Sequence, residues 1–147
     1  MNFALKNPLV KAGGLKVLGT PIDLSRVKVD TFITAGVTDH ITPWQGCYAT
    51  TQLLGGNPEF ILSSAGHIQS ILNPPGNPKA KYYTGDEYPA DAEQWLARAE
   101  QRSGSWWERW RDWLGERSGE RVPARTSLGN ARYPAGAPAP GTYVFEP

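Results

Sequence analysis

The feature that most constrains the fold is a strand, helix, strand pattern between residues 27 and 64. The first run, VKVDTFITA, is rich in β-branched and aromatic residues, and the last run, PEFILSS, is apolar again. Both compositions are typical of strands. Because a crossover connection between parallel strands is right-handed, the pattern predicts an α/β fold built on a βαβ unit with two parallel strands.

The segment between the two runs, TPWQGCYATTQLLGG, carries helix signals at both of its ends. Thr42 is the predicted N-cap, Pro43 stands at the first helical position, and Gly55 and Gly56 follow the last turn. These signals predict one continuous helix between the two strands.

Two chemically active side chains, Asp39 and His67, follow shortly after the two predicted strands. Because an open parallel sheet binds its ligands beyond the carboxyl ends of its strands, we expect these side chains to converge. A carboxylate that holds an imidazole is the base half of a nucleophilic triad. The competing interpretation is that His67 is a hydrogen-bonded loop residue and Asp39 caps a helix. Gly66 is expected to allow a sharp turn directly before His67.

Neither a metal site nor a nucleophile is evident beside this pair. A zinc site needs three or four ligands, and the histidines and cysteines of the chain are His40, Cys47 and His67. We therefore expect no metal and no cofactor, with His40 in a supporting role. Cys47 lies inside the predicted helix and outside any G-x-[SC]-x-G turn, which favours an inert thiol. The nearby serines are too close to His67 in sequence to be attacked across a site: Ser63, Ser64 and Ser70.

The composition and charge of the chain limit which other functions are possible. The chain has 147 residues, of which 39% are apolar, with 16 Gly and 13 Pro, and this is lean for a core. Since 15 Lys and Arg balance 14 Asp and Glu, no global field would recruit nucleic acid. No apolar run approaches the roughly 20 residues of a transmembrane helix, and Met1 to Val10 does not resemble a signal peptide, so we expect a cytoplasmic protein.

Three regions are predicted: a lead-in at residues 1–26, a folded part with the predicted strands and helices at 27–118, and an extended Pro- and Gly-rich tail at 119–147. A short strand is expected within the lead-in at Leu15 to Leu18. The sequence NPPGNP after His67 must form a loop.

Two further helices are predicted, at Asp91 to Arg102 and at Ser105 to Arg117, the second with a capping box from Ser105 to Glu108. The tryptophans of the second helix are expected to pack rather than to bind ligand, with one face formed by Trp106, Trp110 and Trp113 and with Trp107 exposed.

The motifs GTPIDLS, AGVTDHITPW, LLGGNPEFILSSAGHIQSILNPPGNPKA, SWW and TSLGNARYPAGAPAPGTYV together cover nearly the whole chain. In this combination the sequence resembles the carboxyl-terminal part of polyhydroxyalkanoate synthases, and its tail is most similar to the medium-chain-length, pseudomonad-type enzymes. The resemblance implies an α/β-hydrolase fold that polymerises (R)-3-hydroxyacyl-CoA into polyester with release of CoA. It also implies that Asp39 of TDHITPW and His67 of AGHIQS are the catalytic aspartate and histidine. The histidine would deprotonate the nucleophilic cysteine of the family, and the aspartate would orient the histidine or help to activate the incoming hydroxyl.

Two departures from the family pattern shape the expected function. SSAGH stands where the family often has SNSGH, and the G-x-C-x-G box of the nucleophilic cysteine is absent. The resemblance therefore implies an incomplete domain, inactive alone, whose first strand exposes an edge that could pair with another chain. Its partners would be the acyl-CoA, the growing polyester, a second copy or an amino-terminal part, at the surface of polyhydroxyalkanoate granules. The alternative is a catalytically silent protein that binds a synthase subunit or the granule.

Overall fold

The computed structural model describes residues 6–146, and the chain divides after Arg117 into two compact units. The strands of the first unit are β1 (Lys16–Val17), β2 (Thr20–Pro21), β3 (Thr31–Gly36), β4 (Pro58–Ser63), β5 (Lys81–Thr84) and β6 (Glu100–Ser103). Its α-helices are α1 (Trp44–Tyr48), α2 (Thr50–Leu53), α3 (Ala92–Arg98) and α4 (Trp107–Arg117).

The central feature is a four-stranded sheet in the order β3-β4-β5-β6. β3 and β4 run parallel over six residue pairs, from Thr31 opposite Pro58 to Gly36 opposite Ser63, which confirms the predicted βαβ unit. β4, β5 and β6 are antiparallel neighbours, so the sheet is mixed rather than parallel. Within the described residues β3 forms one edge of this sheet, as the sequence predicted.

The predicted strand and helix of the βαβ unit differ in detail from the observed ones. The first strand begins at Thr31, not at Val27, because the chain before it pairs elsewhere: the N–H of Gly55 donates to the carbonyl of Val27 at 2.9 Å. A Cβ on Gly55 would collide with the backbone of Ser25, so this position needs glycine for close approach.

The crossover is two short helices, α1 and α2, and not one. The predicted cap at Thr42 is wrong: Pro43 occupies the N-cap position without a side-chain bond, and the Thr42 hydroxyl is directed to Asp39.

The helix predicted over Asp91 to Arg102 is also wrong in its second half. Asp91 caps α3 by accepting from the N–H of Glu93 at 2.8 Å, but the helix ends at Arg98. The next residues form β6, whose Glu100 pairs with Thr84 of β5. The helical propensity of this segment is overridden by the backbone pairing that β5 offers.

The sheet has apolar contacts on both faces, because successive side chains of β4 point to opposite sides. Phe60 packs on Trp95 of α3 with ring centroids 4.9 Å apart, whereas Ile61 lies in a separate cluster with Tyr82 and Trp106. β4 is therefore an inner strand of the sheet, buried from Phe60 to Ser63.

The packing role predicted for the tryptophans of residues 105–117 is confirmed. Trp106 precedes α4 and contacts the rings of Trp107 and Trp110, with centroids 6.4 Å away in both cases. Phe32 contacts the rings of Trp106 and Trp113, with centroids 6.0 and 5.6 Å away. The predicted exposure of Trp107 is wrong, since its indole bonds to a backbone carbonyl and its side chain is half-buried. Trp110 is the exposed member of the group, at 42%.

The remaining parts contain little regular structure. β1 and β2 form a short antiparallel pair at the place where a strand was expected. In the second unit the described residues are exposed almost throughout, with an isolated bridge from Gly129 to Pro134 and a 3-10 turn at Tyr143–Phe145. Between residues 6 and 146, no helix combines the length and the apolar character that crossing a bilayer would take.

Candidate active site

The site begins where the two parallel strands end. After β3 the chain stays paired with its neighbour, since the N–H of Val37 donates to the carbonyl of Ser63 and that of Thr38 to the carbonyl of Ala65. The two segments of the chain therefore leave the sheet side by side, and Asp39 and His67 follow within a few positions of the strand ends.

Gly36 is the residue that allows these segments to approach. A Cβ at this position would lie 2.5 Å from the carbonyl oxygen of Ala65 and 2.9 Å from the Cβ of Ser70. The sequence predicted that Gly66 would be needed for a sharp turn. Its φ is not left-handed, and a Cβ there would meet only Thr38, at an ordinary van der Waals distance. The close approach thus depends on the glycine of the Asp39 segment.

Asp39 and His67 meet, as the sequence predicted. Nδ1 of His67 lies 2.8 Å from Oδ2 of Asp39, although 28 positions separate the two residues in the chain. The Asp39 side chain is 5% exposed and the His67 side chain 46% exposed, so the imidazole stands between a buried carboxylate and solvent.

The Asp39 carboxylate is surrounded by donors. Oδ1 accepts the backbone N–H groups of Ile41 at 2.9 Å and Thr42 at 3.0 Å, and Oδ2 accepts the Thr42 hydroxyl at 2.7 Å as well as His67. The backbone N–H of Thr42 is the largest cause that holds the pKa of Asp39 well below its usual range, with the hydroxyl and His67 adding to it against the opposing effect of burial. Asp39 is therefore ionised at neutral pH.

This ionisation assigns the tautomer of His67. An ionised carboxylate accepts hydrogen bonds and donates none, so Nδ1 of His67 must carry the proton of their shared bond. In the neutral ring Nε2 then holds the lone pair and is the nitrogen that can take a proton from another group. Asp39 also caps the turn at Ile41 and Thr42, so the capping role and the His67 contact coexist in one side chain.

Cys47 lines the same small cavity as the pair, a neighbourhood that the sequence analysis did not anticipate. The cavity has a volume of about 90 Å³, and its lining includes Asp39, His67 and Ser70. Burial raises the pKa of the Cys47 thiol, and the negative charge of Asp39 raises it further. The thiol is thus protonated at neutral pH and unsuited to attack. The signal for this proximity was present, because a helix that follows Asp39 must begin beside it.

The other predicted candidates do not join the pair. His40 is exposed. The Ser70 hydroxyl donates to the backbone carbonyl of His67 at 3.1 Å, and Ser63 is fully buried in β4. In the part of the chain that the structure describes, no three side chains of His, Cys, Asp or Glu come together as a metal-binding group.

An Asp–His pair at the carboxyl ends of parallel strands is an arrangement that α/β proteins use to activate a nucleophile. No protein-family model matches the chain. It is 56% identical over 140 residues to poly(3-hydroxyalkanoate) polymerase 1 of Ectopseudomonas oleovorans, a match covering 95% of this chain and 25% of the relative. To polymerase 2 of the same organism it is 51% identical over 145 residues, covering 99% of this chain and 26% of the relative.

A more distant match is the poly(3-hydroxyalkanoate) polymerase subunit of Cupriavidus necator, 44% identical over 140 residues, which are 95% of this chain and 24% of the relative. The chain is similar over nearly its whole length to poly(3-hydroxyalkanoate) polymerases, and it spans about a quarter of the length of the curated relatives it matches. The family resemblance drawn from the motifs is confirmed, and the higher identity to the Ectopseudomonas polymerases agrees with the predicted pseudomonad type.

Proposed function

We propose that this chain supplies the catalytic aspartate and histidine of a polyhydroxyalkanoate synthase, an acyltransferase that polymerises (R)-3-hydroxyacyl-CoA and releases CoA. The observation that carries the proposal is the 2.8 Å contact between Asp39 and His67, which leaves Nε2 as the basic nitrogen of a half-exposed ring. The relatives named above are polymerases, which favours this function over that of a silent binding protein.

In the proposed reaction, Nε2 of His67 takes the proton of a cysteine thiol. The thiolate attacks the thioester carbonyl of the acyl-CoA, the bond to the CoA sulfur breaks, and CoA leaves with the proton that His67 returns. His67 then takes the proton of an incoming 3-hydroxyl group, whose oxygen attacks the carbonyl of the acyl-enzyme. The bond from that carbonyl to the cysteine sulfur breaks, the new ester lengthens the polyester, and the cysteine regains the proton from His67. Asp39 keeps the ring oriented and stabilises the imidazolium formed in each step.

The nucleophile in this proposal lies outside the present sequence. Cys47 lies in QGCYA, which is no G-x-C-x-G box, and its raised pKa disfavours the thiolate. We propose that the chain forms part of an α/β-hydrolase domain and that further strands pair with the edge of β3. The complete enzyme would act in the cytoplasm at the surface of polyester granules, where it binds the acyl-CoA and the growing chain.

A chimera tests this function. The matching quarter of the Ectopseudomonas oleovorans polymerase 1 is replaced by this chain, and CoA release from (R)-3-hydroxyacyl-CoA is followed with a thiol reagent. We expect turnover by the chimera, at least a hundredfold loss with His67→Ala or Asp39→Asn, and little change in the control His40→Gln. The present chain alone should release no CoA.

Two results would contradict the proposal. If the chimera turned over equally well with His67→Ala, the base would lie elsewhere. If the chain alone released CoA in a manner abolished by His67→Ala, the nucleophile would have to lie within these 147 residues.

A further inference from the structure

The turn that carries His67 is fastened from outside the sheet by three consecutive side chains. The indole Nε1 of Trp106 donates to the carbonyl of Ser70 at 2.7 Å, and that of Trp107 donates to the carbonyl of Ile71 at 2.9 Å. The hydroxyl of Ser105 donates to the carbonyl of Asn73. Three side chains in a row thus hold three carbonyls of one turn, and we name Ser105, Trp106 and Trp107 the clamp.

The clamp is connected to His67 through Ser70. The Ser70 hydroxyl donates to the backbone carbonyl of His67 at 3.1 Å, and the Ser70 N–H donates to the carbonyl of Gly66 at 2.8 Å. Ser70 thus closes the turn through bonds to Gly66 and to His67, and the bond from Trp106 to the Ser70 carbonyl holds Ser70 in place.

The position of the clamp follows from the antiparallel half of the sheet, which the sequence did not predict. β6 pairs with β5, and Gly104 follows it with φ +100, a conformation that favours glycine. The Gly104 N–H donates to the carbonyl of Ala80 at 2.8 Å. The chain is thereby redirected from the strand into α4, so that Ser105 and the two tryptophans reach the His67 turn.

A turn of this kind needs such support to hold a reactive group. His67 lies outside regular structure and its side chain is 46% exposed, so its contact with Asp39 is not enforced by burial of the ring. Trp106 in contrast is 6% exposed and packs against Phe32 of β3, the strand that delivers Asp39. Trp106 thus connects the His67 turn to the strand that precedes Asp39.

We propose that Ser105, Trp106 and Trp107 are positioning residues that hold the His67 turn so that Nδ1 remains on Asp39. Packing alone is the competing explanation. It would require only the aromatic rings, whereas the clamp requires the indole N–H groups. The geometry of His67 does not depend on the proposed function, and only its catalytic meaning rests on it.

The test uses the full chain with ¹⁵N-labelled histidine, observed by NMR in mildly alkaline buffer. In the wild type the His67 ring should show a protonated Nδ1 and an unprotonated Nε2. Trp106→Phe and Trp107→Phe keep a ring and remove the N–H. We expect the population of the Nδ1–H tautomer to fall at least twofold in Trp106→Phe, as the ring shifts toward the tautomer mixture of a free histidine side chain, and less in Trp107→Phe.

The controls separate the clamp from general packing. Trp110 is a matched control, because its ring contacts that of Trp106 with centroids 6.4 Å apart, while the bonds to the turn come from Trp106 and Trp107. Trp110→Phe should leave the His67 shifts unchanged, and His40 serves as an internal reference. Unaltered His67 shifts in folded Trp106→Phe and Trp107→Phe would overturn the proposal. If Trp106→Phe does not fold, as judged by circular dichroism, the test uses Trp107→Phe and Ser105→Ala. Unaltered His67 shifts in both of these variants would then overturn the proposal.

A second readout separates failure of the clamp from failure of the proposed function. In the chimeric polymerase, Trp106→Phe should lower kcat about ten- to a hundredfold with KM little changed, because a displaced base costs rate and not binding. Shifted His67 tautomers without any loss of kcat would contradict the catalytic role of His67 and leave the clamp intact. Unshifted tautomers would overturn the clamp itself.

Discussion

Thr42 donates two hydrogen bonds to one carboxylate, that of Asp39: its backbone N–H to Oδ1 at 3.0 Å and its hydroxyl to Oδ2 at 2.7 Å. The same Oδ2 contacts His67, so Thr42 and His67 share one oxygen. Thr42 therefore fixes the orientation of the Asp39 carboxylate independently of His67.

The first prediction concerns this hydroxyl. Thr42→Val removes one of the donors that lower the pKa of Asp39, so the pKa of the carboxyl should rise, as measured by ¹³C NMR titration. Thr42→Ser keeps the hydroxyl and is the matched control, which should titrate like the wild type. A carboxyl pKa in Thr42→Val equal to that of the wild type would show that the side-chain bond contributes nothing.

The second prediction is a pH dependence of stability. Because the folded-state pKa of Asp39 lies below its unfolded value, its contribution is fully present above the unfolded pKa, about 3.9, and is lost as the pH falls further. Asp39→Asn should thus cost most near pH 7, and the difference from the wild type should shrink as the pH approaches about 3. Urea unfolding across this range measures it. A difference independent of pH would contradict the assigned ionisation.

The third prediction concerns Cys47. Since burial raises its pKa, native Cys47 should react with iodoacetamide at least about tenfold more slowly than the same thiol in the urea-unfolded chain at neutral pH. In the chimera, Cys47→Ala should leave turnover within about twofold of the parent. Rapid alkylation of the native chain, or loss of turnover in Cys47→Ala, would reopen the possibility that this thiol participates.

The fourth prediction tests the close approach of the two strand ends. A Cβ at Gly36 would lie 2.5 Å from the backbone oxygen of Ala65, so Gly36→Ala should force the segments apart and cost about 1–3 kcal/mol of unfolding free energy. Gly66→Ala is the matched control, since its Cβ would make only ordinary contact, and it should cost less. Thermal or urea unfolding ranks the two variants, and the reverse order would refute the assignment of Gly36 as the close-contact glycine.

The parallel pair of strands could be predicted because its signals are local. The apolar runs at β3 and β4, with a crossover of suitable length between them, leave few topologies, and right-handed crossover then brings Asp39 and His67 to one edge. The catalytic roles of the two residues remain predictions that rest on the family motifs.

The antiparallel half of the sheet could not be predicted in the same way. β5 and β6 have four residues each, and the residues of β6 read as the end of a helix. Their pairing is stabilised by hydrogen bonds between segments that are distant in sequence, which no local pattern reveals. The clamp could not be predicted for the same reason, since Trp106 and Ser70 are 36 residues apart in the sequence.

The sequence by itself determined the resemblance to the polymerases, the parallel strand pair and the meeting of Asp39 with His67, because motif, periodicity and chain handedness are all carried by local residue order. Only the tertiary structure decided which donors surround the carboxylate, and therefore which nitrogen of His67 carries the proton. It also decided that Ser105, Trp106 and Trp107 reach the turn of His67. These contacts depend on how separate segments pack, and packing distances of a few ångströms are not encoded in the spacing of residues along the chain.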